Sequence, residues 1–168
     1  MPPRILTLLA IGILATACAR APKSPTTGSI AGTLSGAGGP IQNAEVKLQS
    51  YADENCAKLS QKNKLSEAED AQYKQCTRQM SSTTSDSQGK YSFPNVADGW
   101  YSLNINWTTK EDPLKSNPMW KPIFLYREEG FLVTFIAAKD SSFRGLAVGE
   151  PFRFSGGDTG KKDLKLKL

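Results

Sequence analysis

The sequence is most informative between residues 86 and 105, Asp86-Ser-Gln-Gly-Lys-Tyr-Ser-Phe-Pro-Asn-Val-Ala-Asp-Gly-Trp-Tyr-Ser-Leu-Asn-Ile105. Apolar residues recur there at every second position, first as Tyr91 and Phe93, then from 101 to 105. A period of two is typical of a strand with one buried face. Turn formers precede the glycine at 89, and Asp-Gly at 98–99 is a tight-turn pair. The stretch therefore predicts turn, strand, turn and strand.

Further strands are predicted on both sides of this stretch. Upstream, Ile30 to Leu34 and Ala44 to Leu48 alternate in the same way, with a glycine-rich turn between them. Downstream, residues 107–118 are predicted to be a long loop, and the continuous apolar run 131–138 a central strand covered on both faces. The other predicted strands are 120–126, 150–154 and 164–168. Seven to nine strands favour an all-β sandwich.

The spacing of these residues resembles the carboxypeptidase regulatory-like domain family, whose members are transthyretin-like, immunoglobulin-like β-sandwiches. The matching positions are Gly28, Ile30, Gly32, Gly39, Pro40, Ile41, Asn43, Ala44, Val46, Leu48, Asp86, Gly89, Tyr91, Phe93, Val96, Gly99, Tyr101 and Leu103. In that family the domain is a non-catalytic accessory module, found beside peptidases, on outer-membrane receptors and in lipoproteins. The resemblance therefore implies no peptidase activity.

The first residues are predicted to be a signal peptide. Arg4 is followed by an apolar run, 5–17, that is too short to span a bilayer. The sequence Ala15-Thr-Ala-Cys18 resembles the lipobox of bacterial lipoproteins, which implies cleavage after residue 17 and acylation, with palmitate as a typical chain, at Cys18. Alanine at 19 implies outer-membrane delivery in bacteria with two membranes. A plain secretory signal is the alternative, and both place the mature chain in the cell envelope or outside the cell.

The mature chain is predicted to be one tethered domain. Residues 18–27 are expected to form a flexible tether, and 28–168 the sandwich. Removing Arg4 with the signal peptide leaves 20 basic against 16 acidic residues, a mildly basic balance. Lysines at 161, 162, 165 and 167 could favour an anionic lipid or glycan surface, although solvent-facing edge lysines are the simpler interpretation. No nucleic-acid partner is expected in this compartment.

Residues 51–80 are predicted to be a helical insertion, because they lack Gly and Pro and are rich in Glu, Lys, Gln and Ala. The capping-box spacing of Ser66 and Glu69 predicts a helix that begins near residue 67 and runs to about Arg78. Cys56 and Cys76 lie equally far from Ser66, so a helical hairpin would bring their sulfurs together. In an oxidising compartment this predicts a disulfide.

The composition limits catalysis. The chain has no histidine, which excludes Ser-His-Asp and Cys-His mechanisms and argues against a zinc site. We expect no metal, no cofactor and no enzymatic activity. An enzyme that uses carboxylates alone, at Glu128–Glu129 or Asp53–Glu54, is the least favoured hypothesis, because neighbouring acids are usually just solvated.

One candidate ligand face lies on the strand after residue 99. Trp100, Asn104 and Asn106 occupy alternate positions that are predicted to point outward from the strand. A tryptophan beside amides could bind a sugar or a peptide. Alternatively, Trp100 covers the end of the sandwich. Two functions lead: a non-enzymatic envelope lipoprotein that docks a protein partner, for example through the insertion, and a carbohydrate-binding module that uses this face.

Overall fold

The computed structural model describes residues 26–36, 38–110, 130–137 and 142–165, together with the backbone of 123–128. The predicted signal peptide, Cys18 and most of the predicted tether lie outside the described residues. In the described part, no helix is long and apolar enough to cross a membrane.

Two β-sheets pack face to face, so the predicted all-β sandwich is confirmed. The small sheet contains β1 (Thr27–Gly36), β2 (Gly39–Pro40), β5 (Lys90–Ala97), β11 (Thr159–Lys161) and β12 (Leu164–Lys165). The large sheet contains β3 (Glu45–Tyr51), β4 (Thr77–Thr84), β6 (Gly99–Thr109), β7 (Ile123–Glu128), β8 (Phe131–Ala137), β9 (Phe143–Gly149) and β10 (Phe152–Phe154). The described residues thus form twelve strands, more than the seven to nine expected.

The large sheet is antiparallel, in the order β4-β3-β6-β9-β8-β7, with β10 also paired to β6. In the small sheet, β1 is the central strand. It pairs antiparallel with β2 and β5 and parallel with β11 and β12. The sheets bury one common core, which includes Ile30, Leu34, Val46, Leu48, Tyr91, Phe93, Leu103, Ile105, Trp107, Val133, Phe135 and Leu164.

The stretch 86–105 joins the two sheets. Its first strand, β5, belongs to the small sheet and its second, β6, to the large sheet, and one residue, Asp98, separates them. The predicted inward residues of both strands are buried. Gly89 has φ +74°, as the predicted turn requires, but Gly99 does not have a positive φ; the left-handed residue here is Asn95, with φ +58°.

Two strand predictions need correction, and one strand was not predicted. Strand β6 continues through Trp107 to Thr109, where a loop was expected, because Trp107 is buried against Phe135 with ring centroids 5.5 Å apart. Strand β8 is covered on one face only, and Leu132 and Ile136 are exposed. Strand β9, which no apolar alternation predicts, turns Gly145, Ala147 and Gly149 inward and larger aliphatic residues outward.

The helical hairpin between β3 and β4 is confirmed. It consists of α1 (Glu54–Leu59) and α2 (Glu67–Cys76), joined by a disulfide between Cys56 and Cys76. Asp53 caps α1 by accepting the Cys56 N–H at 2.8 Å. We call residues 52–76 the insertion; Tyr51 ends β3, and β4 begins at 77.

The predicted start of α2 is correct and its predicted end is not. Ser66 and Glu69 form the reciprocal capping box, with the Ser66 N–H donating to Glu69 Oε2 at 3.0 Å. The helix ends at Cys76 rather than near Arg78. From Thr77 onward the chain pairs with β3 as the edge strand β4, and ladder hydrogen bonds replace the helical ones.

Candidate ligand groove

The outer face of the large sheet and the insertion enclose a groove of about 540 Å³. We call it the insertion groove. Its sheet side is lined by Gln49, Asn104, Leu132 and Val148, and its insertion side by Ser60, Gln61, Lys62, Asn63 and Tyr73; Tyr51, Gly149, Glu150 and Pro151 complete it. The volume lies within the range of about 300–1,000 Å³ that is usual for small-molecule sites.

Strand register creates the sheet side of the groove. Asn104 lies opposite Val148 on β9, and Val148 lies opposite Leu132 on β8, so the three side chains form one row across the outer face. Gln49 adds a second amide from β3, and Asn104 donates to its Oε1 at 3.5 Å. That distance is at the long end for a hydrogen bond, so a ligand hydroxyl could compete for either amide.

The insertion side of the groove is held in place by two tyrosines and the disulfide. The rings of Tyr51 and Tyr73 lie 6.5 Å apart between centroids, tilted by 36°. The Tyr51 hydroxyl shares a 2.8 Å hydrogen bond with Ser102 Oγ on β6. Burial, with the neighbouring Tyr51 hydroxyl, raises the pKa of Tyr73 to about 12. Tyr73 therefore stays a neutral, half-buried aromatic at physiological pH.

An ion pair fixes the loop between the two helices. Lys62 Nζ lies 2.5 Å from Glu69 Oε1, and the same carboxylate accepts hydrogen bonds from Ser66. The bond from Lys62, followed by those from Ser66, lowers the pKa of Glu69 to about 2. Lys62 and Glu69 are thus paired with each other, and the remaining groove side chains of this loop are uncharged amides and a hydroxyl.

The structure separates the three residues of the predicted ligand face. Asn104 lines the insertion groove. Asn106 lies on the same strand face but accepts from Arg144 Nε at 3.0 Å outside the groove. Trp100 is not an exposed platform; it is half-buried and packs against the cluster of Tyr51, Cys56 and Ala57 beneath the insertion. The simpler interpretation of Trp100, a tryptophan that covers part of the sandwich, is the better one.

Cys56 and Cys76 form the predicted disulfide, and the two candidate acids that the structure describes, Asp53 and Glu54, each have a structural partner in α1. Asp53 caps α1, and Glu54 lies 2.7 Å from Lys58 in an exposed pair one helical turn apart. The side chains of Glu128 and Glu129 lie outside the described residues. Within the described ranges, no group of three or more His, Cys, Asp or Glu side chains could hold a metal ion.

A second concavity, of about 630 Å³, lies over the small sheet. Small side chains line it, including Ala31, Thr33, Ser92 and Thr159, with lysines at 90 and 161. Its aromatic residue, Tyr91, uses its hydroxyl to donate to the Lys162 carbonyl at 2.5 Å. Asp86, Thr83 and Thr84 add further polar groups to this concavity. The insertion groove differs in the kind of its polar side chains, because it offers two tyrosines and four amides, at Gln49, Gln61, Asn63 and Asn104.

Comparisons with known proteins do not assign the chain to a family. No protein-family model and no curated protein matches it. Among solved structures, a candidate carbohydrate-binding protein from Pseudomonas aeruginosa is similar at a TM-score of 0.39 and 17% identity, covering 86% of this chain and 92% of that one. A 9R-lipoxygenase from Cyanothece gives a TM-score of 0.32 and 9% identity over 85% of this chain and 16% of that one. Scores this low carry no functional inference.

Proposed function

We propose that the protein is a non-catalytic binding module that takes a carbohydrate in the insertion groove. The observation that carries the proposal is the presence of a half-buried tyrosine and several amides in one concave site. A tyrosine ring offers an apolar face with a polar tip, which suits the C–H face of a sugar ring. Each amide is both donor and acceptor, which matches hydroxyl groups that are also both.

The balance of charge in the groove favours a neutral or weakly charged sugar. Lys62 is paired with Glu69, and Glu150 is the other ionisable carboxylate or ammonium group along the groove. Apolar contacts from Leu132, Val148 and Pro151 add surface for stacking. Such a mixture of apolar walls and a few convergent polar groups is typical of small-ligand sites.

Docking of a protein through the insertion stays a prediction with less support. Helix α2 buries no residue, and its outer surface is polar and charged. Protein interfaces usually depend on a few buried aromatic, apolar or arginine anchors. The exposed residues of α2 are Glu, Gln, Lys and Ala, and its aromatic residue, Tyr73, faces the groove. Location in the envelope, acylation at Cys18, the outer membrane and membership of the carboxypeptidase regulatory-like family also stay predictions from the sequence.

The test is a glycan array probed with the purified full chain and three variants. Tyr73→Ala and Asn104→Ala are each expected to weaken binding to the same sugars about tenfold, which corresponds to roughly 1.4 kcal/mol. Asn106→Ala is the matched control, since it removes the same amide from the same strand face outside the groove, and it should bind like the parent. Equal binding by all four proteins, or no sugar bound by the parent, would overturn the proposal.

Trp100→Ala is a poor test of the site. Because Trp100 packs against the disulfide cluster, its removal would loosen the insertion and change the groove indirectly. Tyr73 lines the groove but packs against the same cluster, so the decisive variant is Asn104→Ala, whose side chain lines the groove from the sheet.

A further inference from the structure

The sheet side of the insertion groove differs on the two sides of Asn104. On β3, Lys47 lies opposite Asn104 and is paired with Glu45, with 3.0 Å between Nζ and Oε1. On β9, Val148 lies opposite Asn104, and its side chain is 41% exposed. The amide of Asn104 therefore has a charged pair as its neighbour on one side and an apolar side chain on the other.

The apolar neighbour belongs to the groove. Val148 lines it together with Pro151, which lies between β9 and β10. Directly opposite residues of an antiparallel pair have Cβ atoms about 4.5–5.5 Å apart, so the methyl groups of Val148 lie close to the Asn104 amide. A ligand group that fits here is polar where it meets Asn104 and apolar where it meets Val148.

A second amide lies on the polar side. Asn104 Nδ2 donates to Gln49 Oε1 at 3.5 Å, which is a weak bond. Each side-chain amide has donors and an acceptor, so the pair can donate to a ligand carbonyl and accept from a ligand N–H. A ligand that is itself an amide uses both of these functions at once, whereas it would leave neither side-chain amide without a partner.

The acetamido group combines these properties in one substituent. It carries a carbonyl, an N–H and a methyl group in a single planar unit. It is also uncharged, which suits a groove whose Lys62 is paired with Glu69. A hydroxyl group at the same position of a sugar has no carbonyl and no methyl, so it would leave the surface of Val148 without an apolar contact.

We propose that the ligand is an N-acetylated amino sugar, with its ring beside Tyr73 and its acetamido group between Asn104 and Val148. This proposal rests on the proposed function for the sugar and adds the substituent that selects it. No covalent step is involved. Val148 is thereby a specificity-determining residue, because it contacts the methyl group that distinguishes this sugar from a plain hexose.

The test is a set of NMR titrations of the full-length chain, secreted with Cys18→Ser so that it is not acylated. The ligands are three pairs of methyl glycosides, those of glucose, galactose and mannose and those of their 2-acetamido-2-deoxy counterparts. In at least one pair we expect the acetamido sugar to bind about tenfold more tightly, through one buried methyl group and one additional hydrogen bond.

The decisive variant is Val148→Ser, which removes the apolar contact from an exposed position. It should reduce the ratio of the two affinities about fourfold, the amount expected for one buried methyl group. Leu146→Ser is the matched control. Leu146 is an equally exposed aliphatic residue, 38%, on the same face of β9, and it does not line the groove, so the ratio should stay as in the parent.

The outcomes separate the two proposals. Equal affinities within all three pairs, or a ratio that Val148→Ser leaves unchanged, would overturn the acetamido proposal and leave the carbohydrate site to the array. Tighter binding of a 6-deoxy sugar, such as methyl fucoside, would also overturn it, because the methyl group recognised would then be on C6. Binding of no member of any pair counts against the acetamido group as well, and the array alone then decides on the carbohydrate site.

Discussion

Replacing Gly32 by alanine is expected to destabilise the sandwich by about 3 kcal/mol, the upper part of the range for overpacking a core. A Cβ at Gly32 would lie 1.8 Å from the carbonyl oxygen of Lys162, which is backbone and cannot turn away. The same carbonyl accepts the Tyr91 hydroxyl, and the Lys162 N–H donates to the Ala31 carbonyl at 2.9 Å. The substitution therefore pushes the C-terminal segment off β1. In thermal unfolding the midpoint should fall by roughly 6–12 °C.

Gly36→Ala provides a matched control on the same strand. A Cβ at Gly36 meets nothing within 4 Å, and its φ is not in the left-handed region. Its stability should change by less than about 1 kcal/mol. If the two variants unfold at the same temperature, the close approach of Lys162 to β1 is wrong.

Replacing both cysteines of the disulfide by serine is expected to destabilise the protein by about 3 kcal/mol. The bridge joins residues 20 apart, and closing a loop of this size reduces the entropy of the unfolded chain by about that amount. The loss should fall mainly on α2, because no residue of that helix is buried. Amide hydrogen exchange should therefore accelerate in α2 while the amides of β6 stay protected.

Reductant supplies the control for the disulfide prediction. It should lower the unfolding temperature of the parent protein and leave the Cys56→Ser, Cys76→Ser variant unchanged. Both cysteines are replaced because a single substitution would leave a reactive thiol. Identical unfolding of the parent with and without reductant would contradict a stabilising bridge.

The core of the sandwich could be predicted because the alternation of apolar residues that identifies it lies within single short strands. In the stretch 86–105, alternation places Tyr91, Phe93, Leu103 and Ile105 on the inward side, and all are buried. The capping box at Ser66 is equally local, which is why the start of α2 was predicted correctly. The end of α2 depends on β3, a strand that is distant in sequence. Residues from Thr77 onward can either continue the helix or pair with β3, and alternation in the sequence could not predict which of the two forms.

Strand β9 shows why alternation fails in part of the large sheet. Its inward glycines accommodate Trp107 and Phe131, which come from other strands, and its outward residues are the aliphatic ones. The pattern of a half-buried strand is thus reversed. The size of the core residues facing β9 explains the reversal, and those residues cannot be identified before the strand order is known.

The insertion groove could be predicted only in part, since it combines distant segments. The alternation of inward and outward positions along β6 predicts that Asn104 lies on the outer face, and the structure confirms this. Gln49 has the same outward parity on β3 and could have been added from the sequence. Tyr51 and Tyr73 meet only because the insertion folds back over the sheet, a contact that neither spacing nor composition indicates.

The most direct test of the carbohydrate site is an NMR titration of the secreted Cys18→Ser chain with the saccharide that binds most tightly on the array. Bound sugar should shift the side-chain amide signals of Gln49, Asn63 and Asn104 and leave those of Gln42 and Asn106 unchanged. Shifts confined to the small sheet around Ser92 and Thr159, or no shifts at saturating sugar, would contradict binding in the insertion groove.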